Sequence, residues 1–259
     1  MHRSKQSYQY LYLPEMDQVV PDGEKLKHSY NTSMIPRMKC FFCIVFVSIS
    51  FFSQAQDWPN LKKFQADNEK LMTETAPKDR VVFMGNSITI GWIQDAPEFF
   101  EANHFVNRGI SGQTSPQMLL RFRADVIALH PKAVVIECGT NDIAGNTGHS
   151  TVAMVEDNIM SMAELARANK IKVIIGSVLP ANKFGWKPVL QPADSIIALN
   201  QWLKAYADRN HFAYIDYYSS LVDDQKGMKA VYSTDGVHPN KEGYTVMEGL
   251  ALPVIKKVL

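Results

Sequence analysis

Cysteine is scarce in this sequence, which has only Cys40, Cys43 and Cys138 among its 259 residues. Cys40 and Cys43 form a single pair at the start of an apolar run, and residues 56–259 contain neither a cysteine pair nor the His-Glu-x-x-His pattern of zinc proteins. The sequence therefore predicts no metal site. Because only Cys138 lies beyond residue 55, we expect no internal disulfide in residues 56–259. Cys138 ends an apolar segment and is predicted to be a small buried core residue.

The sequence also lacks an excess of positively or negatively charged residues. The 27 Lys and Arg residues nearly balance the 26 Asp and Glu residues, and neither sign forms a block. Proteins that bind nucleic acid or an anionic membrane surface usually carry a basic patch, so we expect no nucleic-acid partner. The composition, with 46% hydrophobic and 20% charged residues, is that of one globular domain with a sizeable core. Internal repeats and a second domain are not visible.

An apolar run over residues 40–52 is too short to span a membrane, which takes about 20 residues. Arg37 and Lys39 precede this run and a small-residue segment ending at Ala55 follows it, which is the pattern of a signal peptide. We predict a signal peptide over residues 34–55, cleaved near Ala55. The protein would then be exported to the periplasm or the cell exterior without stable membrane insertion. An uncleaved membrane anchor is the alternative.

The polar segment in front of this pattern has no clear periodicity. A signal peptide should begin near its initiating methionine, so residues 1–33 are interpreted as a mis-assigned start or a disordered extension. Met34 or Met38 would be the true start. The folded domain is predicted to occupy residues 56–259.

Short β-branched segments alternate with segments of helical periodicity from about residue 80 onward. Strands are predicted at 80–84, 104–107, 133–138, 171–178 and 212–217. Helices are predicted at 57–72, 88–100 with an interruption at Pro97, from a cap at Ser115 to Pro131, and at 151–170, 193–210 and 239–259. This alternation predicts an α/β fold with about five parallel strands and helices on both faces of the sheet. The helix at 57–72 should pack across the sheet edge.

Three polar loops follow predicted strand ends, and each contains residues able to do chemistry. They are Gly85-Asn86-Ser87, Asn107-Arg108-Gly109 and Gly139-Thr140-Asn141-Asp142. Because the carboxyl ends of parallel strands share one edge of the sheet, we expect these loops to converge. The segment before the last helix can bring Asp235 and His238 to the same edge.

These residue types suit acyl transfer. Ser87 would be the nucleophile, His238 the base that takes its proton, and Asp235 the carboxylate that holds the imidazole. The tetrahedral intermediate carries an oxyanion that needs fixed hydrogen-bond donors. The available donors are the backbone N–H groups of Ser87 and Gly109 and the side-chain amide of Asn141.

Each of these residues also has a purely structural interpretation. Ser87 could cap a helix, and Asp235 with the glycine after it is a common turn pair. His238 could simply sit at a helix start, and Asn141 could form a cap or an Asx turn. Their joint occurrence at strand ends, in this order, favours the catalytic interpretation.

The same residues carry a family resemblance. Gly85-Asn86-Ser87-Ile88, Gly109, Gly139-Thr140-Asn141-Asp142 and Asp235-Gly236-Val237-His238-Pro239 resemble the four motif blocks of the SGNH (GDSL-like) hydrolases, from about residue 80 to the end of the chain. The resemblance implies a flavodoxin-like three-layer sandwich and no metal or organic cofactor. It also implies Ser87, Asp235 and His238 as the catalytic triad, with Ser87, Gly109 and Asn141 as the oxyanion hole. Asn86 stands where the family usually has Asp.

The branch of the family narrows the expected substrate. The Gly-Asn-Ser block together with residues 108–112 is most similar to the catalytic subunits of platelet-activating-factor acetylhydrolase, a branch that favours short acyl groups, chiefly acetyl. We therefore expect an exported serine esterase acting on a small-molecule or glycan ester. The alternatives are an O-acyltransferase, a lysophospholipase or lipase with the same triad, and a non-catalytic glycan-binding domain. Phe184 and Trp186 either wall the substrate pocket or clamp their own loop.

Overall fold

The structure is a computed structural model that describes residues 57–74, 77 and 79–259. The interpretation of residues 1–33 and the predicted signal peptide at 34–55, with cleavage near Ala55, lie outside the described residues. Within the described part of the chain, no helix has both the length and the apolar character needed to cross a membrane.

Five parallel strands form a single sheet. They are β1 (Val81–Gly85), β2 (Phe105–Gly109), β3 (Ala133–Ile136), β4 (Lys172–Gly176) and β5 (Ala213–Ile215). Their spatial order is β2-β1-β3-β4-β5. This is the order of flavodoxin-like sheets, in which the direction of winding reverses between β1 and β3. The predicted α/β class, the parallel pairing and the number of strands are confirmed.

Nine α-helices connect and flank these strands in the described residues. They are α1 (Gln65–Thr73), α2 (Ser87–Asp95), α3 (Pro97–Ala102), α4 (Ser115–Asp125), α5 (Thr140–Ile143), α6 (Val152–Ala168), α7 (Ala193–Asn210), α8 (Tyr217–Leu221) and α9 (Lys241–Val258).

Two apolar cores lie on opposite faces of the sheet, because successive side chains of a strand point to opposite sides. On one face, Val82 and Met84 of β1 share a core with buried residues of α4, α6 and α7. On the other face, Val81 and Phe83 share a core with α2, α3, α8 and α9. The layers are therefore helices, sheet and helices, as the three-layer prediction requires. Cys138 is a free, buried cysteine in the first core, as predicted.

Several element boundaries differ from the prediction for local reasons. Thr114, not Ser115, is the cap of α4, and its N–H donates to Gln117 Oε1 at 3.1 Å. Strand β5 ends at Ile215 because the side chain of Asp216 caps a short helix, α8, by accepting the Ser219 N–H at 3.0 Å. That helix is absent from the prediction, which continues the strand to residue 217.

Candidate active site

Ser87 lies where β1 passes into α2, close to the reversal point of the sheet. Asn86 is the cap of α2, because its Oδ1 accepts the Ile88 N–H at 2.8 Å. The capping role considered for Ser87 therefore belongs to its neighbour, and the Ser87 hydroxyl has a different partner. Ser87 Oγ lies 2.9 Å from His238 Nε2.

The Asp235 carboxylate uses its two oxygens for two purposes. Its Oδ2 lies 2.7 Å from His238 Nδ1. Its Oδ1 accepts the backbone N–H groups of Val237 and His238, both at 2.8 Å. The Ser233 hydroxyl donates to the same Oδ1 at 3.2 Å and accepts the Gly236 N–H at 2.9 Å. The turn interpretation of Asp235 is therefore correct, and the turn is what aims the carboxylate at the imidazole.

The electrostatics of Asp235 favour its ionised form. Partial burial works to raise the pKa of Asp235, but the hydrogen bonds from the His238 ring and from the two backbone N–H groups outweigh burial. Together they lower the pKa to about 2. A carboxylate that remains charged at neutral pH can stabilise an imidazolium formed beside it.

Asn141 follows β3 at the start of α5 and is buried. Its Nδ2 donates to the Gln113 carbonyl at 3.0 Å, and its Oδ1 accepts from Asn146 Nδ2 at 2.9 Å. An amide nitrogen has two hydrogens, so one remains after the bond to Gln113. The neighbouring Asp142 accepts the N–H and the hydroxyl of Ser115, the first residue of α4, at 2.6–3.0 Å.

Gly109 occupies the end of β2, and its backbone N–H donates to Asn107 Oδ1 at 2.9 Å. This predicted oxyanion donor is therefore already engaged within the protein. Glycine is needed here because a Cβ atom would lie 2.3 Å from the backbone nitrogen of Ile90 in α2. Three residues later, Gly112 has a φ of +76°, which glycine adopts without strain. Its N–H has no hydrogen-bond acceptor among the described residues.

An open groove passes Ser87 and His238 on the surface. Its apolar lining includes Ile90, Ile110 and Tyr244, and its polar lining includes Asn60, Lys63 and Gln94. Gly109 also lines it. The arrangement places the Ser87 hydroxyl in a surface groove that is open to an ester.

Three side chains around the site make contacts that no sequence motif indicates. Arg121 of α4 is fully buried and donates to the carbonyls of Gly85 and Arg108 at 3.1 and 2.9 Å. Those carbonyls lie at the ends of β1 and β2, so one guanidinium holds two of the converging loops. Asn146 and Trp186 meet through a hydrogen bond of 3.2 Å from the indole N–H to Asn146 Oδ1. Contacts between distant loops leave no spacing signal in the sequence.

The structure joins Ser87, His238 and Asp235 in one chain of contacts. Asn141 is linked to this chain only indirectly, through Asn146 and Trp186, whose ring centroid lies 6.4 Å from that of His238. Among the residues that the structure describes, no group of three or more His, Cys, Asp and Glu side chains could hold a metal ion. The remaining free donors and the Ser-His-Asp contacts can support acyl transfer through nucleophilic attack by a serine.

Comparison with known proteins identifies the family of this site. Residues 83–246 match the family described as GDSL-like Lipase/Acylhydrolase. Esterase TesA of Pseudomonas aeruginosa is 31% identical over 183 residues, which are 65% of this chain and 84% of TesA.

Two solved structures extend the comparison. A GDSL-like lipase from Bacteroides thetaiotaomicron is 48% identical, with a TM-score of 0.76 over 78% of this chain and 100% of that chain. The acetylxylan esterase Axe2 of Geobacillus stearothermophilus is 20% identical, with a TM-score of 0.57 over 68% of this chain and 94% of that chain. At that identity, the second match shows a shared fold only.

Proposed function

Because this chain belongs to the GDSL-like lipase/acylhydrolase family and is similar to an esterase, we propose that it is an exported serine esterase. It releases short acyl groups, chiefly acetyl, from carbohydrate esters. One observation carries the catalytic part of the proposal. Ser87 Oγ, the His238 ring and the Asp235 carboxylate form a continuous chain with contacts of 2.9 and 2.7 Å.

The reaction follows from that chain of contacts. His238 Nε2 takes the hydroxyl proton as Ser87 Oγ attacks the ester carbonyl, and Asp235 stabilises the resulting imidazolium. The imidazolium then gives its proton to the leaving alcohol oxygen, which leaves an acyl group on Ser87. Water, deprotonated by His238, attacks this acyl-enzyme and releases the carboxylic acid.

The oxyanion of each tetrahedral intermediate needs donors that are in place before the reaction. The Ser87 N–H at the first position of α2 and the remaining hydrogen of Asn141 Nδ2 fit this role. Gly109 could serve as the expected third donor only by releasing Asn107 Oδ1.

The short-acyl preference rests on two supports. One is the resemblance of the Gly-Asn-Ser block to the platelet-activating-factor acetylhydrolase branch. The other is the groove itself, whose lining includes the polar side chains of Asn60, Lys63 and Gln94. Polar lining offers little of the apolar surface that is needed to bury a long alkyl chain.

The test compares hydrolysis of p-nitrophenyl acetate, butyrate and octanoate by the purified protein and by its Ser87→Ala variant. We expect activity that falls with acyl length, and a loss of at least 10³-fold in kcat, on the order seen for removing a nucleophile. Ser161→Ala on α6, whose hydroxyl only bonds the Asp157 carbonyl, is the matched control and should keep normal activity.

Each other outcome has a definite meaning. Ser87→Ala with near-normal turnover would reject Ser87 as the nucleophile. Activity that rises with acyl length would replace the short-acyl proposal with a lipase or lysophospholipase. Ser87-dependent transfer of acetyl to an added sugar in preference to water would indicate an acyltransferase. A folded protein without activity on any ester would favour a glycan-binding domain.

A further inference from the structure

Trp186 lies in the loop between β4 and α7 and presents one indole face to the outside. Its other face stacks on Phe184, with ring centroids 5.0 Å apart and planes 18° apart. Phe184 is fully buried, whereas Trp186 is 43% exposed. Phe184 therefore clamps the loop to the core, and that role does not explain why a second, exposed aromatic ring lies on top of it.

The exposed indole stands beside the proposed catalytic base. The Trp186 and His238 ring centroids are 6.4 Å apart, with 33° between the planes. In the proposed reaction, the His238 ring returns its proton to the leaving alcohol oxygen, so the alcohol part of the ester must lie against this ring. Trp186 is the aromatic surface that the structure places next to that position.

A second contact joins Trp186 to the oxyanion donor. The indole N–H donates to Asn146 Oδ1 at 3.2 Å, and Asn146 Nδ2 donates to Asn141 Oδ1 at 2.9 Å. An indole nitrogen can only donate, so it fixes which end of the Asn146 amide faces it. Asn146 then fixes Asn141 in turn, with Nδ2 directed away from Asn146 and toward the Gln113 carbonyl.

We propose that Trp186 is a specificity-determining residue with two separable functions. Its exposed face binds a flat ring in the alcohol part of the ester, such as the C–H face of a pyranose. Its N–H acts through Asn146 as a positioning contact that keeps the Asn141 amide nitrogen available to the oxyanion. This assignment rests on the proposed esterase function and adds the residue that recognises the alcohol.

The two functions predict different responses in two acetyl esters that differ only in the alcohol. Ethyl acetate has no ring, so its kcat/KM reports the positioning contact alone. An acetylated methyl glycoside has a pyranose ring, so the ratio of its kcat/KM to that of ethyl acetate reports the ring subsite. Acetate release measures both reactions in the same way.

Substitutions separate the functions further. The variants Trp186→Phe and Asn146→Ala each retain an aromatic ring at position 186. Each breaks the hydrogen-bond chain that runs from the indole N–H through Asn146 to Asn141. Each of these two variants should lower kcat/KM for ethyl acetate about three- to tenfold, which is a smaller effect than removing an oxyanion donor itself. The ratio of kcat/KM for the methyl glycoside to kcat/KM for ethyl acetate should not change. Trp186→Leu should show the same fall and lower the ratio by about another three- to tenfold. Val189→Ala, at a 95% exposed position in the same loop, is the control and should change neither quantity.

The results that overturn the proposal are distinct from those that overturn the esterase function. Ser87-dependent hydrolysis with a wild-type ratio in Trp186→Leu would reject the ring subsite. Unchanged ethyl acetate hydrolysis in both Trp186→Phe and Asn146→Ala would reject the positioning contact. A wild-type protein that hydrolyses neither ester would reject the esterase proposal itself. Thermal melting of each variant distinguishes unfolding from a lower catalytic rate. Because Trp186→Phe and Asn146→Ala break the same hydrogen-bond chain, one of them still tests the positioning contact if the other variant unfolds.

Discussion

At the scale of single residues, the polar atoms of each site side chain make different hydrogen bonds. Asp235 shapes a turn with Oδ1 and contacts the imidazole with Oδ2. Asn141 accepts with Oδ1, donates once to the Gln113 carbonyl and keeps one hydrogen for the substrate. A side chain held at both ends loses little conformational freedom during the reaction, which is the basis of electrostatic preorganisation.

Asn141→Ala tests that argument. The variant loses one proposed oxyanion donor, and we expect kcat on p-nitrophenyl acetate to fall by about 10²–10³-fold with KM changed little. Circular dichroism should show a folded protein, because α5 and the end of β3 keep their other contacts. A fall of less than about threefold in a folded variant would mean that Asn141 does not face the developing charge.

Residue types and spacing were sufficient to select Ser87, Asp235, His238 and Asn141 as a group. They were insufficient to show that the Gly109 N–H is engaged, because its partner, Asn107 Oδ1, acts through a local geometry that composition does not specify. In the same way, the motif indicates that Asp235 can form a turn or orient the His238 ring. The folded structure shows that it does both, because Oδ1 accepts the turn N–H groups and Oδ2 contacts the ring.

At the scale of elements, α1 is attached to the sheet by polar contacts more than by an apolar stripe. The roughly helical spacing of Trp58, Leu61, Phe64 and Leu71 predicted a helix packed across the sheet edge. Trp58 and Leu61 are exposed, however, and the only buried residue of α1 is Asn68. Asn68 Oδ1 accepts twice from the Arg108 guanidinium in β2, the edge strand, at 2.8 and 3.0 Å. Its Nδ2 donates to a buried carboxylate of α4 at 2.7 Å.

Asn68→Ala should therefore destabilise the protein measurably. The change leaves the buried Arg108 Nε without its acceptor, although Nη2 keeps its contact to Asp67 Oδ2 at 2.7 Å. A buried unsatisfied group costs about 1–3 kcal/mol, more when it is charged. Urea unfolding is the measurement. Gln65→Ala, which removes an exposed contact to Glu69 on the same helix, should change the free energy of unfolding by less than about 0.5 kcal/mol. Equal values for the two variants would contradict polar docking of α1.

Strongly periodic elements were predicted better than short ones. Helix α7 has the predicted bounds, since its apolar repeat runs over five turns and the helix begins directly after Pro192. Strand β5 has three residues instead of six, and the α8 helix was missed, because the capping contact of Asp216 overrides the β propensity of the aromatic residues after it. Side-chain caps of this kind decide boundaries that apolar patterns leave open.

At the scale of the whole molecule, alternation of strands and helices determined the layer structure. Strands β1 and β3 are buried along their whole length, and the alternate residues of the sheet join two separate cores. That arrangement puts the ends of β1, β2 and β3 at one edge, where the loops holding Ser87, Gly109 and Asn141 converge. The molecule also buries an ionisable group that the proposed reaction does not use.

Glu137, directly after β3, is that group. It is buried, and neither carboxyl oxygen has a hydrogen-bond partner among the described residues. Burial raises the pKa of Glu137 from 4.5 to about 8, and the nearby Asp142 charge contributes to the increase. The folded protein therefore holds a proton that the unfolded chain releases above about pH 4.5.

This difference gives the sign of a pH effect on stability. Between about pH 4.5 and pH 8 the folded state binds more protons at Glu137 than the unfolded state does, so this residue lowers the free energy of unfolding as pH rises, by at most about 1.4 kcal/mol per pH unit. The contribution is absent below the unfolded pKa and reaches its full size above the folded pKa. Glu137→Gln keeps the shape of the side chain and removes the titration. Urea unfolding at pH 5, 6, 7 and 8 should show the variant gaining stability relative to the wild type at each step, whereas a constant difference across that range would mean that Glu137 does not take up a proton on folding.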